Sequence, residues 1–263
     1  MHTPVPWIYL SPHYDDIALS CGGLVWEQSQ QGDAVSVWTI CGGAPVPGQL
    51  FSAFAELLHA RWESGPEAVV VRQAEDAASC RVMGAARRNF PWLDCIYRTS
   101  SAGQPLYTSE EALWGEIHPE EQSLIEQLAQ TFRQEIPPEA QIVCPLALGD
   151  HLDHRLVRAA AEQTGRPLLY YPDYPYVVRS EPQRHLQALQ DAGWQTHHYP
   201  VSGAGLSAWQ EAVAAHRSQI STFWNSLEGM KQAMEAYWQV RGEGVTLLAP
   251  PLVPFIHVPR DAR

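Results

Sequence analysis

Short β-branched or aromatic runs alternate with helix-spaced segments along the first two-thirds of the chain, and this alternation predicts the fold. Residues 7–10 (WIYL) read as a first strand that ends at Ser11-Pro12, where the prolyl ring cannot continue a ladder. Residues 17–31 follow with Leu19, Val25 and Trp26 placed for a helix that stops at Gly32. The Gly22-Gly23 pair inside it weakens a helix unless another element packs closely there. Residues 34–41 (AVSVWTIC) predict the second strand. A helix over 51–62 comes next, and Ser64-Gly65-Pro66-Glu67 has the spacing of a capping box opening another that runs to about Gly84. Residues 92–97 are the expected third strand, and 110–134 is helix-prone but interrupted at Pro119. A fourth strand over 141–145, a helix over 153–163 and a fifth strand over 168–171 complete the alternation.

The fold class expected is therefore α/β, a Rossmann-like, doubly wound, mostly parallel sheet of order about 3-2-1-4-5. Beyond Pro172 the texture changes. Aromatic and Pro-rich residues 170–178 lead to a strand over 195–201, helices over about 207–224 and 227–241, and an edge strand over 245–248. No repeat, linker or composition break demands a second domain. The expectation is one domain over 1–263, with the Rossmann-like core over 1–171 and a substrate-shaping C-terminal cap over 172–263.

Composition narrows the function classes. The 263 residues include 17 basic and 29 acidic side chains, a formal charge of −12, with no basic patch, which argues against a nucleic-acid surface. Hydrophobic residues at 45% and charged residues at 17% exclude a disordered or coiled-coil chain. The cysteines Cys21, Cys41, Cys80, Cys95 and Cys144 are scattered and lack any CxxC pair, so a disulfide framework is not expected and a reducing cytoplasm is. Met1-His2-Thr3-Pro4 lacks the basic start of a signal peptide, and no apolar run reaches membrane-spanning length. The abundance of Trp and Tyr suits an aromatic core or platforms that stack on sugars.

Candidate chemistry collects at two places. Ser11-Pro12-His13-Tyr14-Asp15-Asp16 follows the first strand, and Asp150-His151-Leu152-Asp153-His154 comes shortly after the fourth. Doubly wound sheets bind ligands beyond the carboxyl ends of their strands, at the point where strand order reverses, so the predicted order brings both clusters to one crevice. Imidazoles with carboxylates and no sulfur suit a catalytic zinc with three protein ligands and an open position. Spacing alone does not say which carboxylate would bind it. Arg72 either clamps a hydroxyl or anionic group or pairs along its own helix with Glu75 or Asp76.

At these residues the chain resembles the LmbE-like, PIG-L family of zinc-dependent de-N-acetylases, hydrolases of N-acetylglucosamine conjugates. The family's (A/S)HPDDE motif with its later Gly-Gly is similar to Pro12-His13-Tyr14-Asp15-Asp16-Ile17 with Gly22-Gly23, and its HxDH motif to His151-Leu152-Asp153-His154. Arg72 to Glu75, Cys80 to Gly84 and Ala215-His216-Arg217-Ser218-Gln219 are further matches, so the resemblance spans about residues 7–220. It implies that His13, Asp16 and His154 bind zinc, with iron(II) or another divalent ion as alternatives. It also implies that Asp15 is the general base on the zinc water. His151, steadied by Asp153, would face the substrate carbonyl as oxyanion donor and acid. Three positions depart from the family pattern. Tyr14 replaces the motif's Pro, Ile17 replaces its Glu, and Gly149 leaves no side chain where some relatives carry an aromatic.

The expected partner is a small amino-sugar substrate, with self-association into a homo-oligomer open and neither nucleic acid nor membrane expected. Other function classes remain as alternatives: a nucleotide-cofactor Rossmann enzyme (methyltransferase or dehydrogenase), a non-catalytic sugar-binding relative and a two-metal phosphoesterase. The first lacks a GxGxxG after strand one. A binding module has no need of a free base and acid, and a two-metal site calls for more carboxylates.

Overall fold

The computed structural model describes residues 4–251, so the expectation for the chain's first three residues lies outside the described part. In chain order, β1 (Pro6–Ser11) leads into α1 (Asp16–Gln30), then β2 (Ala34–Thr39), α2 (Ala53–Arg61), α3 (Ala68–Met83) and β3 (Ala86–Asn89). The second stretch runs through α4 (Gln122–Glu135), β4 (Gln141–Pro145), α5 (Leu152–Glu162), β5 (Leu168–Tyr171) and α6 (Ser180–Asp191). It continues with β6 (Gln195–Pro200), α7 (Gly203–Ala215), α8 (Arg217–Phe223), α9 (Leu227–Val240) and β7 (Gly244–Ala249). The strands form one 7-stranded sheet of order β3-β2-β1-β4-β5-β7-β6. The expected 3-2-1-4-5 arrangement is present and parallel, and the C-terminal region lengthens it with two antiparallel strands. Among the described residues no helix is long and apolar enough to cross a membrane.

Several local expectations are corrected. The third strand is the polar run Ala86–Asn89 rather than residues 92–97; it lies at the sheet edge with mostly exposed side chains, so it carries no hydrophobic signal. Residues 92–97 instead form bridges and a 3-10 turn, with Cys95, Ile96 and Tyr97 buried in a satellite cluster with Phe54, Leu58 and Trp62. Residues 245–248 are not an edge strand. β7 lies between β5 and β6, which explains why Leu247 and Leu248 are buried. The helix expected over 207–224 breaks at His216 into α7 and α8, and the amphipathic α6 went unread. The Ser64 capping box does not form: a 3-10 turn at Gly65–Glu67 precedes α3, and the Ser64 side chain makes no cap hydrogen bond.

The Gly22-Gly23 pair has a packing reason. Trp209 of α7 lies across it and donates its indole N–H to the Ala18 carbonyl at 2.7 Å. A Cβ on Gly22 would meet the Trp209 ring at 2.7 Å, and one on Gly23 would meet Val201 at 2.8 Å. These contacts hold the N-terminal half of α1, and hence the loop that precedes it, against the C-terminal region.

Candidate active site

The reversal of strand order between β1 and β4 opens a crevice at their carboxyl ends. The loop entering α1 brings His13, Asp15 and Asp16 to it, and the loop entering α5 brings His151, Asp153 and His154. All six converge. The imidazole centroids of His13, His151 and His154 lie 4.9 to 5.4 Å apart. Asp16 stands between two of them, with one oxygen 3.4 Å from His13 Nδ1 and the other 3.3 Å from His154 Nε2. A tetrahedral ion with bonds of about 2.1 Å needs donors roughly 3.4 Å apart. The Asp16 oxygens lie at such distances from His13 and His154, each oxygen facing one ring. The nitrogens of His13, His151 and His154 also approach within 4.8 Å of one another, as do donors of His13, Asp94 and Asp153.

Each imidazole is backed by a carboxylate or an amide. His154 Nδ1 is 2.6 Å from Asp173, whose other oxygen accepts from the Leu148 N–H at 2.8 Å. Such a carboxylate behind a histidine fixes its tautomer and raises its basicity. Burial alone would lower the His154 pKa, but Asp16 and Asp173 outweigh it and raise it to about 10. Burial likewise opposes the shift at His13, where Asp94, Asp153 and Asp16 prevail and raise it. At Asp16 burial acts upward, and the facing imidazoles of His154 and His13 reverse it, holding the carboxyl well below its ordinary range. A metal bound by these groups would take the place of the protons that the shifts favour.

Two expected contacts differ in detail. Asp153 was expected to steady His151. Its carboxylate instead accepts from Arg98 and, at 3.0 Å, from the Cys95 N–H, and lies 3.1 Å from His13 Nε2. His151 is the N-cap of α5, and its Nδ1 accepts from the Asp153 backbone N–H at 3.2 Å. Burial, with the charges of His13 and His154, drives the His151 pKa well down, against the imidazolium form that was expected. With Nδ1 accepting, its proton sits on Nε2.

Arg72 is buried and reaches the site. It donates to Asp15 at 3.1 Å and to Asp94 at 3.4 Å, between the rings of Trp62 and Tyr14. The alternative pairing along its own helix does not occur. Glu75 accepts from the Ser218 N–H and hydroxyl of α8, and Asp76 pairs with Arg87. Tyr14, at the motif's Pro position, is anchored by donating to the Gly42 carbonyl at 2.7 Å, while Ile17 is wholly buried. Gly149 has φ +94°, and a Cβ there would lie 3.0 Å from the Tyr176 ring. Tyr176, from the loop after β5, packs over this glycine, 5.7 Å from Trp114.

Three site residues escaped the sequence reading: Asp94, Arg98 and Asp173. Asp173 follows β5 as the two motif clusters follow β1 and β4, so the same strand-end rule would have found it. Asp94 is an acid inside an apolar run, which is itself a signal. Arg98 has none. The resulting pocket, about 130 Å³, has Asp15, Asp16 and the histidines at its floor and Trp62, Trp114, Tyr176 and Phe223 among its walls.

The GlcNAc-PI de-N-acetylase (PIG-L) family profile matches residues 8–164. A 2'-N-acetylparomamine deacetylase of Niallia circulans is 30% identical over 207 residues, covering 72% of each chain. Among solved structures, the zinc-inhibited form of a teicoplanin deacetylase superposes with a TM-score of 0.75 at 25% identity, over 92% of this chain and 97% of that one. An N,N'-diacetylchitobiose deacetylase from Pyrococcus horikoshii, 16% identical with a TM-score of 0.59 over 95% of this chain and 87% of its own, shares the fold.

Proposed function

This chain belongs to the PIG-L family of de-N-acetylases, hydrolases of N-acetyl amide bonds, and on that premise we propose that it removes the acetyl group from an amino-sugar-containing small molecule or glycoconjugate with one bound zinc. The observation that carries the reading is the convergence of His13, His151 and His154 with both Asp16 oxygens beside Asp15 in an aromatic-walled pocket. A divalent ion held by those three residues, zinc or alternatively iron(II), supplies Lewis acidity to the amide carbonyl and makes water more acidic.

The side chains do the rest. Asp15, oriented by Arg72, takes a proton from the attacking water as its oxygen bonds to the carbonyl carbon. His151 Nε2–H donates to the developing oxyanion, a role its neutral form performs. When the C–N bond breaks, Asp15 returns the proton to the departing amine. A neutral imidazole is a poor source of that proton, so His151 acts as oxyanion donor rather than acid. Asp153 orients His13. We read the chain as one deacetylase domain acting in the cytoplasm, a compartment that suits five unpaired, buried cysteines.

The test combines elemental analysis with acetate release from N-acetylglucosamine and N-acetylated aminoglycosides. One divalent ion per chain and turnover of at least one compound are expected. Asp15→Asn should keep the metal and lose roughly 10²- to 10⁴-fold in kcat. Loss of the metal in Asp15→Asn, or no acetate from any compound, would overturn this reading.

A further inference from the structure

A second recessed surface adjoins the pocket. It is a groove of about 710 Å³ between the loop after β5 and helices α8 and α9. Its wall is aromatic: Tyr174 stacks on Trp224 at 6.1 Å and lies 4.5 Å from Tyr237. Two arginines border it, Arg179 over the Tyr176 ring at 5.1 Å and Arg241 over the Tyr237 ring at 5.4 Å. Among the described residues no Asp or Glu lines the groove, although the chain carries a charge of −12. Among the described residues the ion-paired arginines lie elsewhere, and Arg241 Nη2 is buried without a partner. The groove is continuous with the pocket, because Thr222 and Phe223 line both.

Cations left without carboxylates over aromatic faces define a specific complement. A planar apolar body can stack on the rings, and an anionic group on it can take the guanidinium donors in pairs, which an ammonium could not do. A sugar seated over the histidine cluster would pass its substituent across Phe223 into this space.

We propose that the groove is the aglycone subsite, selective for an aromatic aglycone that carries a carboxylate or similar anionic group. This assignment rests on the deacetylase reading of the adjoining pocket. It makes a polycationic aglycone the disfavoured one, despite the acidity of the chain as a whole.

The test uses three β-glycosides of N-acetylglucosamine with phenyl, 4-carboxyphenyl and 4-(aminomethyl)phenyl aglycones. With the wild-type protein the 4-carboxyphenyl compound should show a KM about tenfold below that of the aminomethyl compound, with similar kcat. The preference should shrink in high salt. In the Arg179→Gln/Arg241→Gln double variant the KM ratio should collapse to within about twofold, because the guanidinium fork is gone. Calorimetric titration with the 4-carboxyphenyl compound reads the same contrast without turnover. Trp224→Ala, which removes the stacking wall, should weaken binding of all three compounds and serves if the double variant does not fold. Acetate release with equal KM for all three aglycones would overturn the subsite and leave the deacetylase standing. Preferential binding of the carboxyphenyl compound without acetate release would sustain the subsite and overturn the deacetylase.

Discussion

At the floor of the pocket Asp153 is shared by Arg98, the Cys95 N–H and His13, Arg98 is shared in turn with Glu121, and Glu121 accepts from the Tyr107 hydroxyl at 2.6 Å. Along the outer wall Arg179 and Arg241 rest on aromatic faces, with no carboxylate lining the groove among the described residues. The floor groups are buried, where a charge needs a partner to persist. Arg179 on the wall faces solvent, where water replaces the partner. The contrast teaches where a single change should cost stability and where it should cost only recognition.

Breaking the floor gives the largest expected effect. Asp153→Ala leaves Arg98 short of one counter-charge and the Cys95 N–H without an acceptor, a loss on the order of 3–5 kcal/mol. Urea unfolding with and without a chelator would measure it apart from any metal contribution. A loss below about 1 kcal/mol would mean that the network does not hold the floor together.

A buried acid away from the crevice sharpens the contrast. Asp76 is almost fully buried with only the half-exposed Arg87 opposite, and burial, against the smaller help of Cys80 and Arg87, pushes its carboxyl up to about 6. An unfolded Asp titrates near ~3.9, so the folded state binds the extra proton between those values. The penalty for the ionised form is full above about pH 6 and is relieved as pH falls toward 4. Asp76→Asn should therefore be more stable than wild type at pH 7.5, by something on the order of 2 kcal/mol, with the difference vanishing near pH 4. Melting curves of both proteins across that range test the sign. A difference that does not change with pH would show that Arg87 already neutralises the charge.

The smallest effect belongs to the wall. Arg179→Ala should change unfolding free energy by less than about 0.5 kcal/mol, since an exposed arginine without an ion pair has little to lose. A larger loss would place Arg179 with the floor residues and remove the distinction.

The floor was legible in the chain wherever chemistry and periodicity coincided. His13, Asp16, His151 and His154 stand just past apolar strands, so the alternation that predicts the sheet also predicts their meeting. β3 was missed because an edge strand of Ala-Arg-Arg-Asn buries little and needs no apolar residues. The downward shift at His151 could not be read from the chain because it depends on burial beside two other imidazoles, a property of the assembled crevice. The Asp153–His13 contact was hidden for a related reason. In sequence Asp153 neighbours His151, but on the first turn of α5 its carboxylate projects toward residues 140 positions away.

The placement of β7 between β5 and β6 bears on how the chain assembles as it is synthesised. The five parallel strands can pair once residue 171 has emerged, but β6 pairs only with β7, and β5 keeps an open edge until β7 arrives. During translation the nascent sheet therefore exposes one unsatisfied strand, with Tyr170 and Tyr171 on it, for as long as the remaining segment takes to appear. β7 then covers the β5 edge and leaves β6 as the outer strand on that side. A ribosome stalled between β6 and β7 would hold a molecule whose β5 flank remains open to pairing with another chain.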